Sequence, residues 1–207
     1  MKQTFNILFL LALCTSLFTF VSCKETEVAN NYDNWDVRNQ MYIDSIAREC
    51  ETNTDGKWVR FCAYNRDEDV EIANNNKNHF VYVHKNVEGT GSYHPQYNDG
   101  VRVHYLGRLI PSELYSNGYI FKKSYNGYTL NEKTDVPELL TINTKTVGII
   151  TTLMQMVEGD DWTVYIPYEL AYGEDDYDNI HGCSTIICDL KLAKVYKYGI
   201  DTNTAWY

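Results

Sequence analysis

The sequence predicts an α+β domain, and three observations predict it. Val101, Val103 and Tyr105 alternate with Arg102 and His104, the period of a strand with one buried face. The same alternation recurs in Trp162, Val164 and Ile166, and again in Ile186, Cys188, Leu190 and Leu192. Between these strands, residues 146–157 instead place Val147, Ile150, Leu153, Met154 and Val157 at helical intervals, the only such helix in this half. Several antiparallel strands around one short helix is an α+β plan.

In chain order, the first 22 residues stand apart. Lys2 is their only charge, and an apolar run of about 14 residues is short for a spanning helix and suits a signal peptide. Val21-Ser22-Cys23 then resembles the lipobox of bacterial lipoproteins, with Phe20 where that box usually has Leu. The resemblance implies lipid attachment at Cys23 and a place in the cell envelope, at the periplasmic or surface face of the outer membrane. The alternative is a plain secretory signal that contains a Cys. Residues 23–33 are polar and read as a tether. Residues 34–50 read as a helix capped by Asp33 or Asn34, with Trp35, Tyr42, Ile46 and Cys50 near one face. It is expected to pack on its own domain, to pair with a second copy or to act as a spacer. Residues 58–61 suggest a short strand, and the polar run 74–78 marks a soft boundary. This sets an N-terminal helical extension over residues 34–79 and the main domain over residues 80–200. Further strands are expected at residues 80–83 and 138–142, with a turn at residues 88–91.

The chain carries a formal charge of −10, and loss of Lys2 with the leader makes it −11. An acidic chain lacks the basic face that nucleic-acid binding needs. An electrostatic membrane contact is disfavoured for the same reason. Cys50, Cys62, Cys183 and Cys188 remain after the leader region, and an exported chain permits bridges. None is spaced C-x-x-C.

Two segments carry a stronger signal: residues 101–107, Val-Arg-Val-His-Tyr-Leu-Gly, and residues 166–173, Ile-Pro-Tyr-Glu-Leu-Ala-Tyr-Gly. They resemble the V-x-V-H-Y-x-G and I-P-x-x-x-A-Y-G signatures of the FKBP-type peptidyl-prolyl cis–trans isomerases. Other matches follow in the same order as in that family. They are residues 82–91 with the G-x-G turn, residues 118–125, Met156 to Gly159 after the helix, and residues 180–185 before the last strand. The resemblance covers roughly residues 80–196. It implies a curved antiparallel β-sheet wrapped around one short helix, and action on proline-containing peptide or protein segments with no cofactor and no metal.

Carried over residue by residue, the family's tyrosine hydroxyl falls on Tyr172. Pocket-wall positions fall on Tyr105, Phe121 and Ile180, and the backbone donor at the start of the helix on Thr146 or Val147. The family's tryptophan floor falls on Ile149 and the phenylalanine of its last strand on Cys188. Its aspartate after the pocket phenylalanine is Lys122 here, the first aromatic of its F-x-F strand is Glu138, and the proline after the loop isoleucine is His181. The implied pocket is smaller and less aromatic, so the expectation is a weak isomerase or folding factor, or a non-catalytic module that binds protein or peptide. The acidic run 174–178 lacks the turn Gly and closing Glu of an EF loop and reads as solvated.

Overall fold

The chain was analysed as a computed structural model that describes residues 31–200. The expected signal segment, Cys23 with its expected lipid attachment and most of the expected tether lie outside the described residues. Tyr32 already packs on the core, edge-on to Trp35 with ring centroids 5.1 Å apart.

The strands are β1 (Trp58–Cys62), β2 (Phe80–Val87), β3 (Gly100–Arg108), β4 (Ile120–Lys123), β5 (Glu138–Thr141), β6 (Asp161–Ile166) and β7 (Ile186–Tyr196). They form one antiparallel sheet in the order β1-β2-β6-β7-β3-β4, with β5 also paired to β3. β4 and β5 share one edge of β3, β4 pairing from Leu106 to Arg108 and β5 from Gly100 to Val103. The other edge of β3 pairs with β7 along its whole length. Register shifts interrupt three of these ladders, at Lys85/Val87, Arg102/Val103 and Gly107/Arg108. Each such shift bends and twists its strand, which curves the sheet.

Three α-helices lie among the described residues: α1 (Trp35–Thr52), α2 (Glu68–Ala73) and α3 (Val147–Leu153). α3 lies on the concave side. Its Ile150 and Leu153 are buried with Val101, Val103, Val164, Ile166 and Leu192 in the main core. Gly148 permits the close approach, because a Cβ there would stand 2.3 Å from Ile166 Cγ2. The expected helix over residues 146–157 is shorter than its periodicity suggested. After Leu153 the hydrogen bonds tighten to Gln155 N–Thr152 O and Met156 N–Leu153 O, and Gly159 turns the chain at φ 96°. Buried Asp160 then accepts hydrogen bonds from Gly89 N and Val157 N, tying the G-x-G turn to the end of this segment. The strand expected over residues 138–142 ends at Thr141, and Ile142 starts a 3-10 turn.

α1 covers the other face of the sheet, against its own domain. Phe80 and Tyr82 of β2 face Ile43 and Ala47 there, while Val81 and Val83 face the main core. β2 is thus buried on both sides, and β1 extends the same sheet beyond it. The polar run 74–78 lies within the long connection between these two paired strands and runs into a 3-10 turn at Lys77–His79.

The buried stripe of α1 is Trp35, Asn39, Ile43 and Ala47. The expected face was displaced by one position, and Tyr42, Ile46 and Cys50 flank the stripe half-buried. Buried Asn39 explains the displacement. Its Nδ2 donates to Trp35 O at 2.7 Å and its Oδ1 accepts from Thr185 N at 2.7 Å. Asn34 is the N-cap at φ 49° and its side chain makes no capping bond, so the expected side-chain cap is absent. α2 was not anticipated. Asp67 caps it, accepting from Asp69 N and Val70 N. Its buried Glu71 accepts from Asn76 Nδ2 at 2.6 Å, lies 2.7 Å from His79 Nδ1 and pairs with Arg66 at 3.3 Å. Cys50, Cys62, Cys183 and Cys188 are free thiols.

Two consequences can be measured. Asn39→Ala leaves Thr185 N buried without its acceptor and should cost about 1–3 kcal/mol, read as a lower urea midpoint. The hydrogen bonds from His79 and Asn76 hold the Glu71 carboxyl below the usual carboxylate range. Its contribution is present above the unfolded value, about 4.3, and is lost as pH falls through the lower folded value. The thermal-midpoint difference between the native chain and Glu71→Gln should therefore be large near neutrality and shrink below about pH 4.

Candidate functional site

The concave face of the sheet holds a cleft of about 100 Å³. Cys188 of β7 lies at its centre, because the register places it between Gly107 of β3 and Val164 of β6. Leu190, Ile186 and Ile166 continue this floor, and Ile149 and Leu153 of α3 close it from the helix side. Tyr105, Phe121, Ala171 and Tyr172 form the wall, with Leu140 of β5 beside them. Gly107 leaves the space that the Phe121 ring occupies, since a Cβ there would meet Phe121 Cζ at 2.7 Å.

Sequence reasoning named seven peptide-site residues, and five of them meet here: Tyr105, Phe121, Ile149, Tyr172 and Cys188. Val147 does not line the cleft. Thr146, the other candidate backbone donor and the N-cap of α3, does. An N-cap N–H lies outside the helix's own hydrogen-bond ladder. Ile180 also lies outside the cleft. It is buried in the loop before β7, where its N–H and C=O pair with Tyr177. Leu140, where the resemblance puts the second aromatic of the F-x-F strand, also lines the cleft, and the unforeseen members are Lys145, Leu153, Ile166, Ala171, Ile186 and Leu190. Alternation already placed Ile186 and Leu190 on the face of Cys188, and Ile166 on the inward face of its strand. The others depend on how β5 and α3 meet the sheet.

The Tyr172 ring meets Phe121 edge-on at 6.3 Å and stacks on Tyr177 at 4.8 Å, which fixes its position at the rim. Its hydroxyl has no hydrogen-bond partner among the described residues. Burial, with Tyr177 and Cys188 nearby, raises its pKa, so the hydroxyl stays protonated and able to donate. Tyr105 differs. Its hydroxyl donates to Glu138 Oε2 at 2.5 Å, and burial together with that carboxylate pushes its pKa well up. Lys122 Nζ stands 5.6 Å from the Tyr105 ring centroid. Burial likewise pushes the Cys188 thiol far up, which makes it a small neutral wall.

α1 braces the loop beside this cleft. Trp35 Nε1 donates to Ser184 Oγ at 2.8 Å, and Ser184 Oγ in turn donates to His181 O. Tyr32 stacks on His181 with centroids 4.7 Å apart. Asp176 Oδ1 accepts from Gly182 N, so one carboxylate of the acidic loop holds the loop itself.

Residues 91–193 match the family of FKBP-type peptidyl-prolyl cis-trans isomerases. The peptidyl-prolyl cis-trans isomerase Mip of Coxiella burnetii is 33% identical over 104 residues, half of this chain and 40% of that protein. The FKBP-type 22 kDa peptidyl-prolyl cis-trans isomerase of Escherichia coli is 33% identical over 109 residues, 52% of this chain and 46% of that protein. The matches span less than half the length of these curated relatives. Crystal structures of a peptidyl-prolyl cis-trans isomerase from Pseudomonas syringae and of FkpA from Escherichia coli superpose with TM-scores of 0.54 and 0.55. They cover 78% and 80% of this chain, and 96% and 62% of those chains, at 18% and 19% identity, and they share its fold.

The cleft depends on a missing side chain, and that dependence is testable. Gly107→Ala should displace the Phe121 ring into the cleft and cost about 1–3 kcal/mol from overpacking. A crystal structure of the variant, with its denaturation midpoint, checks both effects.

Proposed function

We propose, for a chain whose residues 91–193 form an FKBP-type peptidyl-prolyl cis–trans isomerase domain, that the cleft takes the ring of a proline and eases rotation about the preceding peptide bond. Tyr172 carries this reading: a protonated hydroxyl without a protein partner, held over an apolar floor. A cavity of about 150 Å³ admits benzene. The 100 Å³ cleft therefore suits a single five-membered ring.

The chemistry needs no nucleophile. Rotation breaks amide resonance against a barrier of roughly 18–20 kcal/mol. A catalyst has only to bind the twisted amide better than the planar one. A twisted amide has lost conjugation, so its carbonyl is less charge-separated and tolerates the floor of Ile149, Ile166, Cys188 and Leu190. Tyr172 donates to a neighbouring substrate carbonyl, and the backbone at Thr146 offers a second donor. Phe121 and Tyr105 hold the ring sideways. With Ile149 and Cys188 in place of large aromatics, the ring loses contact area, and lost buried aromatic contacts typically cost a few kcal/mol. Weak activity follows.

A second reading, a non-catalytic module that binds peptide or protein, is favoured by Lys122, which puts a cation beside the pocket phenylalanine. Either activity would reside in the bacterial envelope, anchored through Cys23, with the braced extension of residues 34–79 holding the pocket loop. The lipobox resemblance and the exported character of the leader support that placement.

The full-length chain, purified in detergent, should accelerate cis-to-trans isomerisation of a short X-Pro peptide, and Tyr172→Phe should slow it about tenfold, the scale of one ordinary neutral hydrogen bond. A rate equal to buffer, unchanged by the substitution, would leave only the binding module. Labelled fatty acid should enter the native chain in a bacterial host and not Cys23→Ala. Labelling retained in that variant would overturn the anchor.

A further inference from the structure

We propose that the cleft selects segments in which an acidic residue precedes the proline; this rests on the proline-binding reading above. The observation is a pair of lysines. Lys122 on β4 and Lys145 just before α3 both line the small apolar cleft. Neither belongs to an ion pair among the described residues, which Lys57, Lys123 and Lys133 also lack, but only these two lysines line the cleft. The nearest compensating carboxylate, Glu138, is engaged by the Tyr105 hydroxyl. Lys145 is partly withdrawn from water, and its burial and the nearby Lys122 both disfavour its charged form, while Glu138 opposes them. In a chain of net charge −10, two such cations on one apolar cleft make a local positive site.

A peptide rises at most about 3.3–3.6 Å per residue. The proposal puts the proline ring on the floor and the side chain of the preceding residue at the rim, beside Lys122 and Lys145, which both line the cleft. A carboxylate there would gain two partners, the partly buried Lys145 and the exposed Lys122. A leucine would gain neither, and a lysine would add a third like charge. The Tyr105–Glu138 bond matters here as well. It holds Glu138 on the tyrosine hydroxyl and out of direct ion-pair contact with either lysine, although its charge still acts on Lys145.

Three capped peptides, identical except for Glu, Leu or Lys before the proline, test this with the full-length chain at low salt. Binding by NMR titration and the cis–trans exchange rate are both read. The expected order is Glu, then Leu, then Lys, with about 3–10-fold between neighbours, the range of a partly exposed ion pair. Added salt should compress the series. The double variant Lys122→Met, Lys145→Met keeps the apolar stems and should bring the Glu-to-Lys ratio to within about twofold. A native chain that handles the Leu peptide as well as the Glu peptide overturns the inference and leaves the isomerase reading standing, with no variant needed. A Glu preference that persists in the folded double variant also overturns it. If none of the three peptides binds or is turned over, the underlying reading fails and this one with it.

Discussion

The pairing of β3 with β7 is the interaction on which the rest of the structure depends. It sets Gly107 against Cys188 and Tyr105 against Leu190. That register creates the low ground of the cleft, because one partner has no side chain and the other has a small one. It also leaves the second edge of β3 free for two short strands, β4 carrying Phe121 and Lys122, and β5 carrying Glu138 and Leu140. A slip of one residue would turn Cys188 and Leu190 outward and remove the floor. The bulge at Arg102/Val103 marks where the pairing is adjusted so that the strand curves toward α3.

The second face of the sheet has its own logic. α1 covers Phe80 and Tyr82 and then uses Trp35 and Asn39 to hold Ser184 and Thr185 at the start of β7. The extension and the site loop are therefore mechanically linked. Asn39 donates at one end and accepts at the other, so a buried polar residue here is satisfied and fixes a position. The same bracing explains why Ile180 is core in this chain. The loop is drawn toward Tyr32 and α1, and Ile180 closes a turn with Tyr177 instead of facing the cleft.

Much of this was legible in the sequence, for physical reasons. Period-two alternation reports a one-sided strand directly, so β3, β6 and β7 and the inward position of Cys188 could be read. The aromatic-plus-glycine signatures located Tyr105, Phe121 and Tyr172. What could not be read depends on long-range geometry. The stripe of α1 was displaced because Asn39 is buried by a partner 146 residues away. α2 is six residues long, too short to show periodicity, and its evident marker was the capping Asp67. Lys122 and Glu138 read as separate departures along the chain. In the fold they meet around one tyrosine, Lys122 above its ring and Glu138 at its hydroxyl. A cation and a carboxylate thus both contact Tyr105.

The central claim is that the cleft under Tyr172 is open to a proline ring and is where a substrate segment binds. Methyl-resolved NMR of the chain with a short X-Pro peptide tests it most directly. The account predicts saturable shifts at Ile149, Leu153, Ile166 and Leu190, together with exchange between the cis and trans signals of the peptide. Shifts confined to the opposite face, around Ile43 and Ala47, or no shift at all, would contradict it.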